Sequence, residues 1–178
     1  IIGSGAAPGQ AVDVAGTSEV VALVTTQATR AEGVLDAPLI GHWRWLGGPT
    51  QAGGSALSWL ARGFYPEMPG STDYARLEAE ARVAPAGSGR LVFLPYLAGE
   101  RAPIWDARAR GVLAGISSCH TRAHWTRAVY EGVALAIRHI LSLCEEAGGQ
   151  PAQEIRVTGG GSLSSFWNQV KADVTGRP

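Results

Sequence analysis

Residues 154–175, EIRVTGGGSLSSFWNQVKADVT, constrain this chain more than any other stretch. The β-branched run over 154–158 predicts a strand, three consecutive glycines interrupt it, and 163–175 carries a helical pattern. A strand that passes through a side-chain-free turn into a helix is α/β structure. It also brings bare backbone to a helix N-terminus, where a flat or anionic ligand can lie against it. Gly159, Gly160 and Gly161, followed by Ser162 and Ser164, are therefore the first candidate ligand contacts.

The rest of the chain reads the same way. Glycine is dense, 24 of 178 residues, and clusters at 3–16, 47–54 and 159–161. Residues 19–26 (EVVALVTT) predict a strand, 42–46 (HWRWL) a short alternating one, and the two are expected to pair as a hairpin. Helices are predicted over 54–62 and over 71–82, the second opened by Ser71 with Asp73 in its first turn. Residues 90–95 (RLVFLP) predict a short buried strand. The clearest element is 121–147, where Trp125, Val129, Val133, Ala136, Ile140 and Leu143 recur at helical spacing until Gly148, Gly149 and Pro151 stop it. This order of elements indicates a mixed α/β domain.

Composition narrows the function. Fifteen basic residues balance fifteen acidic ones, so no net charge is available to hold a nucleic-acid backbone or an anionic membrane. Neither partner is expected. Hydrophobic residues make up 46% and charged residues 17%, which argues for a folded globular chain, and no apolar run is long enough to span a bilayer. Two cysteines, Cys119 and Cys144, without a signal-peptide pattern point to reduced thiols and a cytoplasmic protein. The first residue is Ile1 and the only methionine is Met68, so the chain is expected to be a piece of something longer.

Several familiar constellations are missing. Residues 3–9 (GSGAAPG) echo a dinucleotide fingerprint but have no strand before them and no helix after them. No GxxxxGK[ST] loop occurs, nor any GxSxG elbow. Cys119, His120 and His124 lie close together, yet further ligands at zinc-like spacing are lacking, so no metal site is expected. Gly16, Thr17 and Ser18 are more suggestive, because two hydroxyls and adjacent backbone N–H groups at a tight turn before a strand can wrap phosphate oxygens.

Taken together, these segments resemble the FGGY carbohydrate kinases, in particular their xylulokinase-like and glycerol-kinase-like members. The likeness rests on residues 2–9 followed by Gly16-Thr17-Ser18, on 52–60 (AGGSALSWL), on 93–111 (FLPYLAGERAPIWDARARG), on 111–132, and on 158–178 (TGGGSLSSFWNQVKADVTGRP). Within 111–132, Gly111, Leu113, Gly115, Ile116, His124, Ala128, Val129, Tyr130 and Glu131 fit the family's second signature. Trp125 stands where that signature has an aliphatic residue or phenylalanine.

The resemblance implies an actin-like, ribonuclease-H-like ATPase fold, a mixed sheet flanked by helices. Two such domains would bind ATP, with Mg2+, and a sugar or polyol in the cleft between them. It implies that residues 1–178 are most of the C-terminal, nucleotide-binding domain, truncated at both ends, and that the N-terminal sugar-binding domain lies outside them. Thr17 and Ser18, with Gly16, would sit at the phosphates. Gly54 and Ser58 would touch the nucleotide, and Gly160 and Ser164, in the turn of Gly159 and Gly161, would lie against adenosine. Family members often have glutamine at the Ser58 position and asparagine at the Ser164 position. The catalytic base is expected to be an aspartate just upstream of Ile1, so this chain holds no catalytic residue and is expected to be inactive alone. Glu100, Arg101 and Asp106 belong to a shared block and read as ion-paired structural residues. A homodimer of the parent protein is left open. The alternative reading is an actin-superfamily nucleotide-binding or regulatory domain without kinase chemistry.

Overall fold

A computed structural model describes residues 1–27, 29–68 and 70–178. Five strands, β1 (Ala11–Ala15), β2 (Glu19–Thr25), β3 (Leu35–Ile40), β4 (Trp43–Pro49) and β7 (Ile155–Thr158), form one sheet in the order β3-β4-β2-β1-β7. The first four pair antiparallel, whereas β7 runs parallel to β1. Two short strands, β5 (Val92–Leu94) and β6 (Val112–Ala114), pair separately. The helices are α1 (Gly54–Phe64), α2 (Tyr74–Val83), α3 (Arg122–Gly148) and α4 (Ser165–Thr175). The mixed sheet flanked by helices is as expected.

The main core lies between one face of the sheet and the helices. Ala11, Val21, Leu23 and Leu46 from the strands meet Leu57 and Leu60 of α1 and Val133, Ile137, Ile140 and Leu141 of α3, all buried. A smaller cluster of Ala6, Val12 and Val24 occupies the other face beneath the N-terminal segment. The long helix behaves as its spacing predicts: Val129, Val133, Ala136 and Ile140 are buried and Trp125 packs partly buried. Thr121 caps it, its hydroxyl and the His124 ring satisfying first-turn groups in a capping box, and Gly149 at φ 70° ends it in the left-handed region. His120 Nδ1 accepts the Ser117 N–H at 3.0 Å. His120 and His124 thus serve the entry to this helix.

Four expectations change in detail. Helix α2 starts at Tyr74, and Asp73, not Ser71, is its cap, accepting the Arg76 N–H at 3.0 Å. The strand expected over 90–95 is only Val92–Leu94, and it alternates: Phe93 is buried, as are Leu91 and Pro95 on either side, while Val92 and Leu94 face outward. Leu163 lies in a 3-10 turn (Gly160–Leu163) and is exposed; α4 begins after it, capped by Ser164. β2 and β4 do pair, but β3 intervenes in the chain, so the true hairpins are β1–β2 and β3–β4.

Candidate functional site

β1 and β7 are adjacent and parallel, so the turns that follow them emerge at the same sheet edge. β1 delivers the 16–18 turn and β7 delivers the glycine turn at 159–163. The carboxyl ends of parallel strands are where α/β sheets place ligands, because the backbone there is free of side-chain cover. Helix α1 is tied to the same place: the Gly53, Gly54 and Ser55 N–H groups donate to Thr17 O, Gly16 O and Thr17 O at 3.0, 2.9 and 3.0 Å. The first turn of α1 is thereby satisfied by the loop and in return holds it rigid.

These elements enclose a cleft of about 840 Å³, a size that suits a nucleotide-sized ligand. Among the residues predicted from sequence, Gly16, Thr17, Gly54, Ser58, Gly160, Gly161 and Ser164 line it. Two do not. Ser18 closes the turn, its carbonyl accepting the Gly16 N–H at 3.1 Å. Gly159 is needed for the backbone: it sits at φ 85°, and a Cβ there would lie 2.5 Å from Ala15 O. Gly161 is also tightly placed, with Ala15 Cβ 2.7 Å from where its own would be. Gly160 is different, because it has no positive φ and a Cβ added to it would meet nothing within 4 Å. It faces the open cleft.

The remaining walls are not among the ligand contacts expected from the sequence. Tyr130 of α3 and Trp167 of α4 line the cleft, their rings edge to face at 5.4 Å. The Tyr130 hydroxyl and the Trp167 indole nitrogen are buried without hydrogen-bond partners among the described residues, and burial drives the tyrosine pKa well above its usual value. On the opposite side stand Leu57, Arg62, Tyr74 and Glu78 from α1 and α2. The Ser58 hydroxyl lies 3.3 Å from Tyr74 OH and accepts from Thr72 Oγ1 at 3.1 Å. Ser164 Oγ accepts the Trp167 N–H at 2.9 Å as the cap of α4. Both serines therefore also hold the walls together.

The 100–106 block is structural, though not wholly by ion pairing. Buried Glu100 accepts backbone N–H groups of Gln51 and Arg101 at 2.5 and 2.8 Å, and burial raises its pKa. Arg101 donates to Thr50 O, and only Asp106 forms an ion pair, with Arg108 at 3.3 Å. Among the described residues, no group of three or more His, Cys, Asp or Glu side chains is placed to hold a metal, and no helix is long and apolar enough to cross a membrane.

Residues 11–178 match the C-terminal domain of the FGGY family of carbohydrate kinases. The chain belongs to this family. It is 39% identical over 127 residues to a xylulose kinase of Staphylococcus epidermidis, spanning 71% of this chain and 25% of that protein. It is 34% identical over 139 residues to a gluconokinase of Bacillus subtilis, spanning 75% and 27%. The crystal structure of xylulose kinase from Rhodospirillum rubrum superposes with a TM-score of 0.86 at 35% identity, covering 97% of this chain and 34% of that one. The FGGY chain thus spans about a quarter of the curated relatives it matches and about a third of the solved kinase. Its fold is the actin-like ATPase fold of those kinases.

Proposed function

We propose that this chain is the nucleotide-holding half of an ATP-dependent kinase that phosphorylates a hydroxyl of a sugar or polyol. It would correspond to most of the C-terminal domain, with the sugar-binding domain and the catalytic aspartate elsewhere in the parent protein. The observation that carries the reading is the convergence, in one cleft of an FGGY fold, of the rigid 16–18 turn with the bare backbone at Gly160.

In this reading the 16–18 turn meets the phosphates, with Thr17 at the mouth of the cleft. Gly160 and Gly161 lie along adenosine, and the walls bearing Ser58 and Ser164 flank it. Phosphoryl transfer needs positioning and charge stabilisation more than covalent help from the protein. This half would anchor the nucleotide while the opposite domain brings the hydroxyl and its base, and closure of the two would exclude water. The carboxylates nearest the turn, Asp13 and Glu19, are bonded to Lys171. They make no cage for magnesium, so the ion would be held by the nucleotide's phosphates and by groups outside this chain. Free thiols at Cys119 and Cys144 fit a reduced cytoplasmic setting.

The test is calorimetric titration of Mg–ATP into the full-length protein, followed by a phosphorylation assay over sugars and polyols. Binding with turnover supports the kinase, binding without turnover on any acceptor favours a nucleotide-holding regulatory domain, and no binding refutes both. The 178-residue chain alone is expected to show no sugar-dependent ATP hydrolysis; turnover by it would contradict the assignment of the base to another segment.

A further inference from the structure

One group of buried charges has no part in the cleft lining on its phosphate side. The β1–β2 register sets Ala15 opposite Glu19 and Asp13 opposite Val21, so Asp13 and Glu19 are diagonal neighbours on one face of the sheet. Helix α4 covers that face and places Lys171 Nζ 2.6 Å from Asp13 Oδ2 and 3.2 Å from Glu19 Oε2. Lys171 is the single lysine of the chain. Asp13 and Glu19 are fully buried and Lys171 is 3% exposed. The ammonium also lies 4.6 Å over the ring of Trp167, which lines the cleft.

The arrangement flanks the 16–18 turn from both strands: Asp13 stands three residues before it and Glu19 directly after it. Glu19 Oε1 is buried without a partner among the described residues and faces the start of α1, where a Cβ on Gly53 would be 2.8 Å away. Gly53 is itself the residue whose N–H holds Thr17 O. Two ionised carboxylates against one ammonium would leave a net negative charge in a dry site, and such a charge is strongly unfavourable without further partners. A proton on Glu19 removes it. Burial, reinforced by the charge of Asp13, pushes the Glu19 carboxyl up to about 9, so that the proton is present at neutral pH. The charged groups facing Glu19 are Asp13 from β1 and Lys171 from α4, and the N-cap of α1 presents Gly53.

We propose that Glu19 is a positioning residue for nucleotide binding that works as a neutral acid. With its proton, the Lys171, Asp13 and Glu19 group presents no net charge behind the 16–18 turn. Without it, an anion stands directly behind the nucleotide's phosphates and against the start of α1, repelling the one and loosening the other. This rests on the reading of the cleft as a nucleotide site.

The experiment is titration of Mg–ATP into the full-length protein at intervals from pH 7 to 10, for the unaltered protein and for Glu19→Gln, which keeps the shape of the neutral acid and cannot ionise. The unaltered protein is expected to hold a constant Kd to about pH 8 and then to weaken, approaching tenfold per pH unit above the titration of Glu19. Glu19→Gln is expected to bind within threefold of the unaltered protein at pH 7 and to stay flat across the range. At pH 9, titrations in buffers of different ionisation enthalpy are expected to show proton uptake on binding by the unaltered protein alone. Identical pH profiles in the two proteins would overturn the role of Glu19 and leave the nucleotide site standing. Should Glu19→Gln not fold, absence of proton uptake by the unaltered protein at pH 9 overturns the proposal by itself. Absence of ATP binding at pH 7 removes the nucleotide reading, and this proposal with it.

Discussion

Gly159 and Gly160 are neighbours in one turn, yet the structure gives them opposite jobs, and a pair of valine substitutions separates them. At Gly160 a Cβ meets nothing within 4 Å and the backbone is outside the left-handed region. The protein can accept the isopropyl group, and stability should change by no more than about 0.5 kcal/mol. The group projects into the cleft of about 840 Å³, into the volume assigned to adenosine. ATP affinity is expected to fall at least about tenfold, about 1.4 kcal/mol, with sugar affinity nearly unchanged. At Gly159 the φ of 85° puts a β-branched residue in a region that costs about 1–3 kcal/mol. The contact at 2.5 Å with Ala15 O adds overpacking of about 1–3 kcal/mol. A total of about 2–6 kcal/mol lowers the melting temperature of a domain this size by roughly 5–20 °C. Thermal unfolding and ATP calorimetry on the two variants decide the matter. If Gly160→Val unfolds like the unaltered protein and also binds ATP like it, adenosine does not lie against this turn.

Val133→Asp places a charge on the fully buried face of α3; the loss of several kcal/mol is comparable with total stability, so insoluble or molten protein is expected and a sharp native melt would refute the packing. Gly132→Ala should destabilise by about 1–3 kcal/mol although alanine favours helices, because its Cβ would lie 2.3 Å from Phe93 O and would push α3 off β5; a gain in denaturation midpoint would contradict that contact. Glu19 is held protonated in the folded state up to about pH 9, whereas in the unfolded chain it ionises near its ordinary value of 4.5. The folded state therefore binds the extra proton between those limits, and stability falls as pH rises through them by up to about 1.4 kcal/mol per unit. Denaturant titrations at pH 6, 7 and 8 should show this slope in the unaltered protein and a flatter one in Glu19→Gln; parallel slopes would refute it.

The elements legible in the sequence are those whose pattern is local. Helix α3 shows its buried face in its own spacing and its ends in Thr121 and Gly149. β2 and β7 show themselves by β-branched runs. β1 does not, because AVDVA carries an aspartate at a fully buried position, and only Lys171, 158 positions away, makes that tolerable. β3 holds Asp36 and Pro38, residues that argue against a strand, and both are accommodated because it is the sheet edge and because Arg44 on β4 pairs with Asp36 at 2.7 Å. β6 is three residues long, too short for any alternation to register. At α2, Ser71 and Asp73 are both good caps by type, and only the geometry of the following turn selects the aspartate.

The site divides along the same line. Gly16, Gly54, Gly160 and Gly161 stand out in a sequence because a glycine in a turn has few reasons to be there other than backbone geometry or close approach. Tyr130 and Trp167 carry no such mark, since an aromatic residue at helical spacing reads as core, and core is most of what they are: each is at most 3% exposed and packs against the other. What makes them part of the cleft is the parallel pairing of β7 with β1, which lays α4 alongside the middle of α3, from Tyr130 to Arg138, and turns one edge of the Tyr130–Trp167 contact toward the ligand space. The same pairing brings Lys171 over Asp13 and Glu19. One long-range register therefore creates both the floor of the cleft and the charge balance behind its phosphate side. A substitution that shifts α4 along the sheet should disturb the two together.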